Sequence, residues 1–512
     1  MSSVPKLFAS DVDGIDAHLV RVEADLNVGL RSFSIVGLAD KAVSEAKERV
    51  NSALKHAGVK PPTKENKRIT INLAPADVKK TGSRFDLPIA LAYLLASEQL
   101  SPFSSKDKMF AGELSLDGAV QPVSGILSSA LLAKEQGIRT FFVSKENAEE
   151  AAIVSGIQII PVENLLGLVN HLEGRDEIPP QPPTRIIPSF PPRLGRVSEI
   201  KGQDHAKRAL LVAAAGNHNI FLYGSPGTGK TMLAQALASL LPPPSLEEST
   251  EITRIYSSVG LTSENPFFSY RPFRDPHHSS SLISLVGGGS QPRAGEISLA
   301  HRGVLFLDEA PEFHRDALDA LRQPLESGEI HVSRARGSAC FPARFQLVLA
   351  MNPCPCGYYG DIEKECKCTA SEVFRYQRKL SGPLLDRMDI QVDVPRIPIE
   401  ELRDKEYNVK AEDKMQRRIL QARKTQIERF TKARLPYFTN SEMSSKHVDS
   451  IVKLNTPAEE MLRRVLDKSF VSPRGYYRIL KLSQTIADLA GSSIVTEAHL
   501  GEAFQYRLKA NE

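Results

Sequence analysis

Eight residues, Gly224-Ser225-Pro226-Gly227-Thr228-Gly229-Lys230-Thr231, constrain this chain of 512 residues more than any other stretch. They follow the apolar run Asn219-Ile220-Phe221-Leu222-Tyr223 and precede a helical pattern, so the glycines fall at a strand-to-helix turn. Glycine lets successive backbone amides curl inward, and the start of a helix adds its dipole, which makes a cradle for phosphate. In such a cradle Lys230 neutralises the outer phosphates of a nucleotide and the Thr231 hydroxyl ligates Mg²⁺. All eight residues are candidate ATP contacts.

A phosphate loop of this kind sits on a doubly wound parallel sheet, and the flanking sequence supplies one. Further strands are expected at Gly303-Val304-Leu305-Phe306-Leu307 and Gln346-Leu347-Val348-Leu349-Ala350. The first ends in Asp308-Glu309, where Asp308 would orient Mg²⁺ and Glu309 would polarise the attacking water. The second leads to Asn352, which would lie near the γ-phosphate, although a polar residue at a strand end is also an ordinary turn former. Arg387, in Gly382-Pro383-Leu384-Leu385-Asp386-Arg387-Met388-Asp389, is a candidate arginine finger delivered from a neighbouring subunit, or else a salt bridge to Asp386 or Asp389. Arg474 opens a helix after Ser472-Pro473 and either reports nucleotide state or caps that helix.

Length predicts two or three domains. From Arg175 to Arg196 proline accumulates and apolar periodicity disappears, which marks an extended connector. The boundaries expected from this are residues 1–174 for an α/β or α+β unit, 175–196 for the linker, 197–398 for the nucleotide core and 399–512 for a helical unit. The longest apolar run, Phe85 to Ala96, is too short to span a bilayer, and the N-terminus does not read as a secretion signal. A cytoplasmic protein without membrane contact is expected. The net charge of +4 does not by itself separate a nucleic-acid binder from an ordinary enzyme.

Local clusters are more informative. Cys354-Pro355-Cys356 and Cys366-Lys367-Cys368 offer four thiolates, enough for one closed, structural Zn²⁺ site directly after Asn352. Gly328 to Gly337 reads as part of a β-hairpin with Arg334 and Arg336 near its turn, either tracking DNA phosphates or protecting an exposed edge by charge. A segment from Phe267 to Gly295 carries Arg271, Arg274, Arg293 and the pair His277-His278, and its glycines suit a moving loop. The basic stretch around Arg417-Arg418, Arg423-Lys424 and Arg429 reads as a solvated helix face in preference to a DNA contact.

The order of these motifs resembles the AAA+ ATPases of the magnesium-chelatase I-subunit group, specifically the ComM/YifB family, over essentially the whole chain. Ile200-Lys201-Gly202-Gln203 is similar to the family's segment near the adenine, and Leu299 to Glu309 to its Walker B region. Asn352, Arg387 and Arg474 fall where such proteins carry sensor 1, the arginine finger and sensor 2. The resemblance implies an AAA+ P-loop domain with a helical C-terminal lid, preceded by an α+β Lon protease-like domain of the ribosomal S5 domain 2 type. The Lon likeness runs from Gly112 to Asn147, but Arg84 stands where the nucleophilic serine aligns, and Ser124 to Ser129 lacks the lysine that would activate it. An assembly or partner-binding role is therefore expected for this unit. The family implies a hexameric ring that uses ATP and Mg²⁺ for branch migration on single-stranded or branched DNA during recombination and natural transformation. The alternatives are a chelatase-like or protein-remodelling ATPase and, behind it, an ATP-dependent protease.

Overall fold

The computed structural model describes every residue except 1–3, 39, 65, 78, 192–193, 263–265, 290–291, 335–336, 362, 399–408, 469–471 and 508–512. The N-terminal unit is built on a seven-stranded sheet. Its strands are β1 (Lys6–Asp13), β2 (Asp16–Val28), β3 (Ser32–Val36), β4 (Lys67–Ala74), β5 (Lys108–Phe110), β6 (Thr140–Ser144) and β7 (Gln158–Val162). Their spatial order is β3-β4-β2-β1-β5-β6-β7, so an antiparallel hairpin of β1 and β2 continues into a parallel half, β5 to β7. Helix α1 (Lys41–His56) is amphipathic, with Val43, Ala46, Val50, Ala53 and Leu54 buried at helical spacing. Helix α2 (Asp86–Ala96) is the apolar run that was too short to span a membrane. It is instead a core helix, buried from Asp86 to Leu94, with the Asp86 carboxylate held by Arg49 at 2.6 and 3.0 Å.

Residues 220–393 form a five-stranded sheet. After α3 (Ile126–Glu135) in the first unit and α4 (Asp204–Gly216) come β8 (Ile220–Tyr223), α5 (Lys230–Leu240) and α6 (Leu246–Ser258). The remaining strands are β9 (Phe273–Arg274), β10 (Val304–Leu307), the hairpin pair β11 (Glu329–Arg334) and β12 (Gly337–Pro342), β13 (Gln346–Met351) and β14 (Ile390–Asp393). The sheet order is β9-β10-β13-β8-β14, every pairing parallel. Layers on both faces explain why β10 and β13 are buried at every residue and why their sequences are apolar without alternation. Parallel register brings the C-terminal ends of β8, β10 and β13 to one edge, and the loops that leave that edge carry Gly224, Asp308 and Asn352.

Four longer helices follow: α7 (Val409–Lys432), α8 (Thr456–Lys468), α9 (Pro473–Leu489) and α10 (Glu497–Gln505). The basic face expected on α7 is in part structural. Arg423 donates to Ala214 O at the end of α4, and burial lowers its guanidinium to about 10. Arg429 pairs with the buried Asp488. Tertiary packing of α7 on α4 and α9 thus consumes charges that periodicity alone assigned to solvent.

The two α/β units interlock. The β1–β2 turn places Ile15 among Ile252, Ile255 and Phe268 of the second unit. Gly125 N, at the start of α3, donates to Ser257 O at 2.9 Å, and Arg254 reaches Ile15 O at 3.0 Å. Glu150 is 3% exposed and accepts from Leu127 N at 2.9 Å, Ser257 Oγ at 2.5 Å and Thr262 Oγ1 at 2.7 Å. Truncating it to alanine orphans those donors, so Glu150→Ala is expected to lower unfolding stability by about 2–3 kcal/mol in urea titration, with no change in nucleotide affinity. Among the described residues, no helix is long and apolar enough to cross a membrane.

Candidate functional site

The phosphate loop begins where β8 ends. Gly224 N donates to Met351 O at 3.2 Å, and a Cβ at this position would lie 2.3 Å from Val394 O, so only glycine fits between the flanking strands. Gly229 has φ +90, a left-handed value that turns the chain into α5. At the first position of that helix Lys230 is 7% exposed. Its Nζ donates to Gly224 O at 2.7 Å, Ser225 O at 2.9 Å and Asn352 Oδ1 at 3.0 Å. Asn352 therefore stands one hydrogen bond from the cation that would face the outer phosphates.

Thr231 Oγ1 donates to Asp308 Oδ2 at 2.8 Å, which gathers the two candidate Mg²⁺ ligands. Asp308 Oδ1 accepts from Glu309 N at 2.9 Å. Glu309 adopts φ +49, an uncommon conformation for a non-glycine residue that carries the carboxylate out of the strand direction. The donors and acceptors fit a polyphosphate with Mg²⁺: a lysine and helix amides for phosphate, a hydroxyl and a carboxylate for the metal. Burial pushes the Lys230 ammonium down to about 8 against the pull of Asp308 and Glu309. Phosphate raises it again, so nucleotide binding takes up a proton, and ATP affinity is expected to be flat below pH 8 and to fall as pH rises above it. Titrating a fluorescent ATP analogue from pH 6.5 to 9.5 checks this, with an affinity that rises toward alkaline pH as the contrary result.

A neighbour of Glu309 was not evident from sequence. His278 Nδ1 lies 3.7 Å from Glu309 Oε2, and its ring lies against that of His277, tilted by 33° at 4.1 Å between centroids. The local signal was the short strand β9 that precedes them, which pairs with β10 and so runs beside Asp308-Glu309. Arg271 and Arg274 are clamped, the former by Glu248 at 3.0 and 2.7 Å and the latter by Glu296 at 2.6 and 2.7 Å. Arg293, on a short two-residue strand, is exposed. Arg336 lies outside the described residues, as does the side chain of Arg334.

Arg387 and Arg474 are found elsewhere. Arg387 is 5% exposed, donates NH1 to Pro383 O at 2.6 Å and NH2 to Glu326, and its Nε has no partner among the described residues. Arg474, mostly exposed, shares Glu326 at 2.8 Å. Arg478 braces Arg387 by donating to its carbonyl oxygen at 2.8 Å and to Asp389 at 2.5 Å. Burial raises the Asp389 carboxyl, but Arg478 and His218 outweigh it and hold the group well below the usual carboxylate range. Because Arg387 precedes β14 and its carbonyl accepts from Asn219 Nδ2 before β8, this cluster occupies the edge where the strands begin. The sheet, about 13 Å long at 3.3 Å per residue, separates it from the phosphate loop of the same chain.

Gln203, at φ +56, donates Nε2 to Pro395 O at 2.6 Å, so the segment before α4 is tied to the strand end that flanks Gly224. Cys354, Cys356, Cys366 and Cys368 converge with ligand atoms within 4.8 Å of one another. The separations 3.3, 3.7 and 3.6 Å for three pairs are too long for disulfides. They approach the edge of about 3.8 Å of a tetrahedral site with zinc–sulfur bonds near 2.3 Å. Backbone amides of Tyr358 and Lys367 donate to Cys356 and pull its thiol down to about 6.

A family model described as magnesium chelatase, subunit ChlI, matches residues 196–402. Models described as subunit ChlI of Mg-chelatase and as its ChlI C-terminal part match residues 22–147 and 410–507. The competence protein ComM of Haemophilus influenzae is 44% identical over 499 residues, 96% of this chain and 95% of the relative. The uncharacterized protein YifB of Escherichia coli is 42% identical over 494 residues, again 96% and 95% of the two chains. The magnesium-chelatase 38 kDa subunit of Rhodobacter capsulatus is 32% identical over 173 residues, 30% of this chain and 49% of that protein. Identity that runs nearly end to end, joined to a phosphate loop of this geometry, means that the chain belongs to the ComM/YifB family of magnesium-chelatase-like AAA+ proteins.

Proposed function

We propose that this chain is one subunit of a ring, a hexamer, that hydrolyses ATP with Mg²⁺ and uses the energy to move single-stranded or branched DNA, as in branch migration during recombination and natural transformation. One observation carries the reading. Arg387 and Arg474 meet on Glu326 at the opposite edge of the sheet from Lys230, Asp308 and Glu309, a position that supports action on the phosphate site of a neighbouring copy. Thr231 and Asp308 would hold Mg²⁺, whose positive charge would offset that of the outer phosphates. Lys230 and Asn352 orient the γ-phosphate, Glu309 polarises the attacking water, and the neighbour's Arg387 stabilises the charge that spreads over the transferred group.

Residues 399–512 act as the helical lid of the nucleotide core, 197–398, and carry Arg474 toward the adjacent subunit. The linker, 175–196, joins the core to the Lon-like unit, 1–174, which serves assembly instead of proteolysis. Arg84, buried where the serine of a Lon-type protease aligns, donates to Ser124 O at 2.8 Å, which supports that reading. The relation to a competence protein supports DNA as the track in the cytoplasm, with Arg293, Arg334 and Arg336 as phosphate contacts and Zn²⁺ as a structural brace on the four cysteines. A second reading, remodelling of a protein partner, draws on the likeness to the magnesium-chelatase subunit.

Steady-state ATP hydrolysis without DNA, with single-stranded DNA and with branched DNA tests the choice. Stimulation by DNA of about tenfold or more supports the DNA motor. Turnover indifferent to every DNA would favour the protein-directed reading.

A further inference from the structure

The loop that carries the four cysteines does more than follow Asn352 in sequence. Gly357, at φ +86, packs so closely on the phosphate loop that a Cβ there would lie 2.4 Å from Pro226 Cγ and 2.6 Å from Cδ. Four residues on, the Asp361 side chain is 1% exposed, lies beside Ser225, and accepts the amides of Glu363 at 3.0 Å and Lys364 at 3.1 Å and Arg396 Nε at 2.8 Å. Those neighbours hold its carboxyl down to about 2, so it is ionised at any working pH. Gln377 closes the near end of the loop by donating to Pro353 O at 3.0 Å and Tyr223 OH at 3.3 Å. Ser225 and Pro226 are the second and third residues of the phosphate loop, and both are gripped by the cysteine loop.

Between Cys354 and Cys368 the described residues form no helix or strand, so few backbone bonds define this segment. Besides the bonds of Asp361 and Gln377, the convergence of its thiols is what can fix it, and a metal that joined them would supply ordering free energy. A phosphate cradle binds well only when its amides are already aligned, because apparent affinity scales with the fraction of molecules in the competent shape.

We propose that the cysteine loop is a clamp on the phosphate loop: Gly357 and Asp361 are positioning residues for Ser225-Pro226, and Zn²⁺ on the four thiolates sets affinity for ATP while leaving the rate of the chemical step alone. This rests on the reading of Gly224 to Thr231 as the ATP site. The clamp touches the turn that receives the phosphates, whereas the groups that act on water and on the γ-phosphate, Glu309 and Asn352, are held by other contacts.

The test uses the full chain, zinc content measured by atomic emission and dissociation constants measured with a fluorescent ATP analogue. Asp361→Ala, which removes the charged acceptor that anchors the clamp, is expected to weaken nucleotide binding about tenfold while kcat at saturating ATP stays within about twofold. Asp361→Asn, which keeps an acceptor and the fold, should recover most of the affinity. Stripping zinc with a chelator should reproduce the loss and restoring Zn²⁺ should reverse it. Equal affinity in stripped and loaded protein, or unchanged affinity in Asp361→Ala, would each overturn the clamp. Failure of the unaltered, zinc-loaded chain to bind nucleotide, matching Lys230→Ala, would instead overturn the ATP site on which it rests.

Discussion

Glu309→Gln is expected to slow ATP turnover by about 10²–10³-fold while nucleotide affinity stays within a few-fold of the parent. The amide is nearly isosteric, keeps the φ +49 backbone undisturbed and leaves the Thr231–Asp308 pair in place, so phosphate and metal contacts survive. What disappears is the negative oxygen that draws a proton from the attacking water. Single-turnover hydrolysis beside equilibrium binding separates the two effects. A variant that hydrolyses ATP at the parent rate would mean that another group, with His278 the nearest by geometry, polarises the water. Loss of binding and turnover together would point to a structural carboxylate.

The second large effect concerns the arginine cluster. Arg387→Ala is expected to reduce turnover by about 10³-fold, the scale of an arginine supplied in trans. Removing this 5% exposed side chain also leaves Glu326 short of a cation, so Arg474→Ala, at a mostly exposed position, is the companion that leaves packing alone. The decisive measurement mixes subunits. Arg387→Ala keeps an intact Glu309 and Glu309→Gln keeps an intact Arg387, so some interfaces in mixed rings regain both groups. Hydrolysis above the sum of the two separate variants is the expected outcome. Strict additivity across all mixing ratios would show that Arg387 works within its own chain, against its position at the opposite sheet edge.

Much of the nucleotide site was legible in the residues because it depends on local order. A glycine loop between a strand and a helix, an acidic pair after an apolar strand and an asparagine after the next are each set by short-range spacing, and parallel pairing then brings the three strand ends to one edge. The helices and strands around them follow from apolar periodicity for the same reason. The four cysteines were likewise readable, since their spacing allows little besides one shared site. Charged residues were harder. Arg271, Arg274, Arg423 and Arg429 look alike in sequence, yet each is spent on a carboxylate or a carbonyl far along the chain, at separations no local pattern encodes.

Composition and spacing therefore determined the class of chemistry: a phosphate cradle, a metal-ligating carboxylate, a thiolate cluster and a parallel sheet to carry them. Tertiary structure alone decided which groups meet. It set Arg387 and Arg474 on Glu326 at the far edge of the sheet, laid His278 beside Glu309, sank Glu150 into the joint between the two α/β units and seated Gly357 on Pro226. The physical reason is that a buried charge or a close backbone approach is satisfied by whatever the packed chain brings within about 3 Å, and that distance is set by the fold as a whole and not by neighbours in sequence.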